Sequence, residues 1–457
     1  MSLWTSDEIA QATGGTASAA FDVSSVTFDS REVGPGDLFV ALTGEVTDGH
    51  KFLDQAFERG AAGALVSRDT SHPHVRVGDT FAALETLAEA SRARTNAKII
   101  GVTGSAGKTG TKEALFAALD RSPAKRAHRS VKSYNNHTGV PLSLSRMPPE
   151  VDYGVFEMGM NHPGELAHLT TLVRPHVAIV TAIAPAHAAF FPDEAAIADA
   201  KGEIFQGLEP GGVAIVPYDS PHRDRLTDAA RPHAGRIVTF GVGEGADVVA
   251  LEAVRAGNGG TFVTARIGDR ELSYTVSQPG QHWVTNSLAV LATVDAVGGD
   301  LALAGLALAE LGGLAGRGDR FWIAAGDGRA LVIDESYNAN PASMRATLEV
   351  LGAQEASRRV AVLGEMRELG DKSADHHAGL AGPIRHANVE LALLVGEAMK
   401  PLAEALEGQV EIVHVPDAAA ARDRLGAVLR AGDAVLIKGS NGVGLSALVA
   451  ALGDGKT

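Results

Sequence analysis

Along the chain, short apolar runs alternate with longer stretches in which apolar residues recur at three- and four-residue intervals, the pattern of strands interleaved with amphipathic helices. In the N-terminal part, the turn Val33-Gly34-Pro35-Gly36 feeds a strand over 37–42, and helical spacing follows over 52–59 and 81–92. The polar stretch Arg94-Thr95-Asn96 reads as a hinge, so a first unit spans 1–95. Beyond it, apolar runs at 98–103, 154–158, 177–183, 213–216 and 237–240 alternate with helical segments, the βαβ rhythm of a parallel sheet. Polar and apolar residues alternate through 261–276, which predicts an antiparallel ribbon, and a helix begins near 284. Gly312-Gly313-Leu314-Ala315-Gly316 reads as a second junction that closes a unit over 96–315. A further βα series fills 316–457, with strands at 330–333, 360–364, 391–396, 411–415 and 434–438. This is the layout of a doubly wound, Rossmann-like sheet, whose ligand crevice lies at the carboxyl strand ends.

Length and composition agree with an α/β protein of this kind. At roughly 100–200 residues per domain, 457 residues suggest about three domains. Hydrophobic residues at 45% and charged residues at 21% describe a globular chain without a disorder signature. The net charge of −15 argues against a nucleic-acid or anionic-membrane partner, so an anionic ligand must be met by local basic groups and backbone amides. The absence of cysteine excludes disulfides, thiolate metal sites and a thiol nucleophile. No basic, apolar leader opens the chain and no run approaches about 18 apolar residues, so the reading is a cytoplasmic protein with no membrane insertion.

The chemistry concentrates first at Lys98-Ile-Ile-Gly-Val-Thr-Gly-Ser-Ala-Gly-Lys-Thr-Gly-Thr, a strand, a glycine-rich turn and a helix start. In such a P-loop, Gly104 and Gly107 let backbone N–H groups converge on phosphates, Lys108 reaches the β/γ-phosphates, and Thr109 offers a hydroxyl to Mg²⁺, with Ser105, Ala106 and Gly110 as the other nucleotide-binding positions of the loop. Val102 stands where the longer phosphate-loop pattern has its first glycine, so the loop is a short variant. Glu157 and His187 end two strand runs of the same unit, and with Thr109 they suit a metal ion whose octahedron nucleotide phosphates complete. The alternative for each is a surface residue at a loop start. By composition alone, Lys201 is a solvated lysine. In the last unit, Asp334-Glu335-Ser336-Tyr337-Asn338-Ala339-Asn340-Pro341 follows a strand and precedes a helix. Asn340 or Ser343 can cap that helix, but the stretch holds more polar groups than a cap requires and suits a ligand. Arg317 and Arg320 at the junction can reach a phosphate or form linker salt bridges.

Together these motifs resemble the ATP-dependent Mur ligases of peptidoglycan synthesis across essentially the whole chain. The residues that carry the resemblance are Asp29-Ser30-Arg31 with Pro35-Gly36-Asp37-Leu38-Phe39, Thr103 to Thr109, Asn135-Asn136 with Gly139-Val140-Pro141, Ala200-Lys201-Gly202-Glu203-Ile204, Ser336-Tyr337-Asn338-Ala339-Asn340-Pro341, and Lys438-Gly439-Ser440-Asn441-Gly442. The Ser-Tyr-Asn-Ala-Asn-Pro stretch discriminates most, and it points to the branch that joins D-alanyl-D-alanine to UDP-N-acetylmuramoyl-tripeptide through an acyl phosphate. The resemblance implies three domains, an N-terminal one for the UDP sugar, a central ATPase, and a C-terminal one that binds the dipeptide, working as a monomer with ATP and Mg²⁺. It assigns Ser30 and Arg31 to the sugar-nucleotide substrate with Asp48 and His50 nearby, Asn135 and Asn136 to substrate binding, and Asn338 and Asn340 to the neighbourhood of the dipeptide. Lys108, Glu157, His187 and Lys201 would be catalytic, with Thr109, Glu157, His187 and a carbamylated Lys201 serving the metal. Asn286 would hold adenine, and Arg320 and Glu335 would reach ATP. The chain departs from the usual family pattern at Gly110, Trp283, Ala188-Ala189 and Pro217-Tyr218. Rival readings are a related amide ligase with another amino acid or peptide substrate, a phosphate-loop kinase, and a nucleotide-gated binding protein without chemistry.

Overall fold

The computed structural model describes residues 2–44, 47–185, 190–256 and 259–453. Its central element is a nine-stranded sheet, in the spatial order Arg270–Val276, Thr261–Ile267, Val248–Arg255, Arg236–Gly241, Val213–Pro217, Val177–Val180, Lys98–Thr103, Tyr153–Glu157, Ala127–Arg129. The last six strands in this order and the pairing of Arg236–Gly241 with Val248–Arg255 are parallel. The first three strands form an antiparallel ribbon. Successive residues of each parallel strand point to opposite faces. Ile100, Val102, Val155 and Ile179 therefore pack with the helices Lys108–Asp120 and Gln281–Ala296 on one side, while Ile99, Phe156, Ala178 and Val180 pack with Glu165–Val173 and Glu194–Gly202 on the other. Burial on both faces explains why these strands read as continuous apolar runs.

The N-terminal unit holds a five-stranded sheet in the order Thr16–Ala17, His74–Arg76, Gly63–Val66, Asp37–Val40, Ser25–Thr27, parallel except for its first pair. The C-terminal unit holds six strands in the order Asp319–Ala325, Gly328–Glu335, Asp433–Lys438, Arg358–Gly364, Leu391–Val395, Glu411–Val415, again parallel except for the first pair.

Short strands at Ser25–Thr27, Gly63–Val66, His74–Arg76 and Ala127–Arg129 go beyond the sequence pattern, and three further elements differ from it. Val248–Arg255 is a strand that the pattern did not predict, because Ala250, Leu251, Glu252 and Ala253 are helix-favouring residues held extended only by their partner strands. Asp319–Ala325 alternates buried Phe321, Ile323 and Ala325 with outward Trp322 and Ala324, but apolar residues on both faces hide that alternation. The strand expected over 177–183 ends at Val180, where Thr181 turns into the site.

The two junctions behave differently. Arg94-Thr95-Asn96 is not a free hinge, since Thr95 is buried and donates to the Pro149 carbonyl at 3.1 Å. Arg92, on the helix Thr80–Ala93, is buried and donates to the carbonyls of Val173 at 2.9 Å and Arg174 at 2.8 Å. Trp4 Nε1 donates to the Ser145 carbonyl at 2.8 Å, and the Arg94 guanidinium lies 3.3 Å over the Trp4 ring. The second junction has exposed Gly312, Gly313 and Ala315, and positive φ at Gly316 (73°) and Gly318 (88°).

Candidate active site

The strand order reverses at Lys98–Thr103, flanked by Tyr153–Glu157 on one side and Val177–Val180 on the other. The carboxyl ends of these strands open a crevice at this switch point. Gly104 takes φ +149°, and a Cβ there would stand 2.0 Å from Thr181 Oγ1, so only glycine fits. Thr181 in turn donates to the Ala106 carbonyl at 2.6 Å and holds the loop from beneath. Gly107, at φ +83°, starts the helix Lys108–Asp120 with no side chain capping it. The Ser105 hydroxyl is buried without a partner. An uncapped helix start with a spare hydroxyl is what an anionic phosphate completes.

Lys108 lies half-buried over this loop, with Nζ 2.6 Å from the Gly104 carbonyl. Burial and the nearby Arg317 charge lower its pKa, while Glu157 opposes them. Thr109 donates to Glu157 Oε2 at 2.9 Å, and Asn135 Nδ2 donates to Glu157 Oε1 at 2.8 Å. Glu157 is fully buried, so it is not a surface residue at a loop start. Lys201 is 1% exposed, which overturns its reading as a solvated lysine. Burial, and secondarily the Lys108 charge, push its ammonium well below the usual lysine range. The pairing that sequence cannot show is tertiary, since the helix Glu194–Gly202 turns this face into the core. His187, Ala188 and Ala189 lie outside the described residues. Among the described residues, no three His, Asp or Glu side chains converge on one point. One carboxylate with one hydroxyl beside a phosphate cradle nevertheless fits Mg²⁺, which keeps waters and takes phosphate oxygens as ligands.

A cavity of about 530 Å³ spans from this loop to the C-terminal unit. It brings together Ser105, Ala106, Gly107, Lys108, Gly110, Asn135, Glu157 and Asn286 with Glu335, Asn338 and Asn340. Asn286 is buried, with Oδ1 2.9 Å from where a Gly107 Cβ would be. Asn340 caps the helix Pro341–Gly352 by accepting from Ser343 N at 2.8 Å, while its Nδ2 donates across the cavity to the Ser105 carbonyl at 3.2 Å. Cap and site residue are therefore one. Lys438, known from the sequence only as part of a motif, is buried on the same wall, donating to the Asn338 carbonyl at 2.9 Å with Glu335 Oε2 at 3.4 Å. Arg317 stacks 4.2 Å from the Tyr337 ring centroid and reaches Ser133 Oγ at 3.3 Å. Arg320 stands outside the lining, with its Nε and Nη2 buried and unpartnered.

The remaining candidates are not gathered here. Ser30 is buried and donates to Gln55 Oε1 at 2.8 Å, and Arg31 is exposed and forked onto Asp29 at 2.9 and 2.7 Å. His50 donates from Nδ1 to Asp48 (2.7 Å) and accepts from Ser67 N at Nε2 (3.0 Å), so both ring nitrogens serve the fold. The bonds from His50, its backbone N–H first, hold the Asp48 carboxyl down to about 2. Asn136 accepts from Gly139 N at 2.9 Å and lines a separate cavity of about 290 Å³ with His137 and His168.

Comparison with known proteins bears on this arrangement. Residues 22–106 match the Mur ligase family, catalytic domain, residues 102–294 the Mur ligase middle domain, and residues 319–441 the Mur ligase, glutamate ligase domain. The chain is 35% identical to the UDP-N-acetylmuramoyl-tripeptide--D-alanyl-D-alanine ligase of Escherichia coli K12 over 97% of both chains. It is 33% identical to the enzyme of that name from Bacillus subtilis 168, over 93% of this chain and 92% of the other. Among solved structures, MurF from Acinetobacter baumannii superposes with a TM-score of 0.84 at 32% identity over 99% of each chain. The MurF ligase of Thermotoga maritima in complex with ADP gives 0.77 at 26%, over 94% of this chain and 97% of the other. With all three of its domain patterns matched in order and full-length relatives above 30% identity, the chain belongs to the Mur ligase family.

Proposed function

We propose that the protein is the ATP-dependent ligase that joins D-alanyl-D-alanine to UDP-N-acetylmuramoyl-tripeptide, the final cytoplasmic step in making the peptidoglycan precursor. The observation that carries this reading is the cavity in which the phosphate loop and Glu157 face the Ser-Tyr-Asn-Ala-Asn-Pro stretch, joined by the Asn340 to Ser105 bond. In the first step a carboxylate oxygen of the tripeptide attacks the γ-phosphorus of ATP and ADP leaves. In the second, the dipeptide amine attacks the acyl carbon and phosphate leaves, giving the amide. Lys108 and the open N–H groups at Gly107 neutralise phosphate charge that builds in the first step. Thr109 and Glu157 hold Mg²⁺, which supplies Lewis-acid stabilisation of the phosphoryl oxygens, and His187 and a carbamylated Lys201 complete the metal set. Burial, and secondarily the Lys108 charge, lower the Lys201 pKa and so favour the neutral amine that captures CO₂. Asn286 serves adenine, Glu335 reaches ATP from the cavity wall and Arg320 from outside the lining, Ser30 and Arg31 contact the sugar nucleotide beside Asp48 and its partner His50, and Asn135 and Asn136 bind substrate. Asn338 and Asn340 flank the dipeptide, whose enclosure keeps water from the acyl phosphate.

The three domains span 1–95, 96–315 and 316–457. The protein acts as a monomer, a reading supported by a cavity lined from both sides by one chain. Among the described residues, no helix is long and apolar enough to cross a membrane.

The test is ADP release with UDP-muramoyl tripeptide and a panel of D-alanyl-D-alanine and single amino acids, with mass spectrometry of the product. Release that depends on the dipeptide, with a product heavier by a dipeptide less one water, is expected. A phosphorylated product, or a preference for a single amino acid, counts against the assignment.

A further inference from the structure

A buried lysine without a task in this chemistry lies one helical turn beyond Lys108. Lys112 is 0% exposed and does not line the cavity. Its ammonium donates to the carbonyls of Ser130 at 3.1 Å and Lys132 at 2.5 Å, and lies 2.9 Å from Glu113 Oε1 and 3.9 Å from Glu157 Oε2. Lysine is seldom fully buried unless its charge is paired, so its donors must be in demand.

Both carbonyls belong to the segment 130–135, which touches every unit of the molecule. Lys132 has φ +52°, a left-handed backbone that side-chain-bearing residues rarely adopt, and the bond from Lys112 holds its carbonyl in that turn. Five side chains of the segment reach outward from it. Ser133 Oγ lies 3.4 Å from Thr109 Oγ1 and accepts from Arg317 of the C-terminal unit. Tyr134 donates to Glu32 of the N-terminal unit at 3.1 Å, and the Lys132 ammonium pairs with the same carboxylate. Asn135 holds Glu157 Oε1, and Ser130 Oγ accepts from the Glu157 backbone N–H at 3.1 Å.

We propose that Lys112 is a positioning residue for the Thr109 and Glu157 pair, acting through the 130–135 segment rather than by touching the nucleotide. This rests on the nucleotide reading above, and the experiment separates the two. ADP affinity is measured by calorimetry with Mg²⁺ and with EDTA, for wild type and Lys112→Met. The ratio of the two dissociation constants reports how well Thr109 and Glu157 serve the ion, whereas a merely structural lysine would lower affinity equally in both buffers. Loss of such an outer-shell support is expected to shrink the Mg²⁺-dependent gain by about 10–100-fold, with binding in EDTA near that of wild type. A folded Lys112→Met protein with the wild-type ratio overturns the proposal. If that variant does not fold, Lys132→Pro breaks the same contact from the exposed side, since proline cannot hold φ +52° and the Lys132 side chain is 61% exposed. The same shrinkage is expected there, and an unchanged ratio again overturns the proposal. A wild-type protein that binds ADP in neither buffer overturns the nucleotide reading itself.

Discussion

Gly110 and Trp283 depart from the usual family pattern, and they meet in the structure. A Cβ on Gly110 would stand 2.9 Å from Trp283 Cη2, so the indole occupies space that a larger residue at 110 would need. Gly110→Ser alone is expected to weaken ADP binding, because the ring that lines the cavity beside Asn286 has to shift. Adding Trp283→Asn should restore much of the loss, a coupling of about 0.5–3 kcal/mol in a double-mutant cycle read by calorimetry. Strictly additive losses would show that the two departures are unrelated. At this scale the sequence exposed Lys108, Thr109 and Glu157, because a glycine-rich turn and a strand end carry their own local signals. It did not expose Lys112, and composition alone misread Lys201 as solvated, a reading that the family resemblance reverses. Both are lysines whose burial depends on contacts with Ser130 and with the core under residues 194–202, far along the chain.

The helix Pro341–Gly352 shows how one element can carry two duties. Asn340 and Ser343 bond reciprocally at its start, with proline in the first turn, and that much is written locally in Asn-Pro-x-Ser. The Asn340 Nδ2 bond to the Ser105 carbonyl joins residues 235 apart, which no local pattern encodes. The two duties can be separated. Asn340→Ala is expected to lose the cap, about 1 kcal/mol, and lower the melting temperature by a few degrees. Asn340→Asp keeps the cap oxygen but has no donor for Ser105, so its melting temperature stays close to wild type while ligase turnover falls as it does in Asn340→Ala. Full turnover in the aspartate variant would make the cross-cavity bond dispensable. Strand prediction failed at Val248–Arg255 and Asp319–Ala325 for a related reason: these are segments whose neighbours, not their own residue preferences, hold them extended.

Across the whole molecule, the C-terminal unit meets the phosphate loop through Asn340 and the 130–135 segment through Arg317, and is tethered by the glycine-rich stretch 312–318. Closure on this tether predicts that small-angle scattering will show a smaller radius of gyration when an ATP analogue and UDP-muramoyl tripeptide are bound together than without ligands. The same radius at saturation would argue against movement about 312–318. The other junction is fused by Arg92, Thr95 and Trp4, so the N-terminal unit and the phosphate loop move as one. On the proposed function, the distance from Ser30 and Arg31 to Gly104 and Lys108 is then a fixed ruler. A substrate anchored by its diphosphate end is measured against it, and each peptide residue added or removed shifts the terminal carboxylate by up to about 3.3–3.6 Å, more than the length of a hydrogen bond. Peptide length would thus be selected by stiffness between two units, before any side chain of the peptide is read.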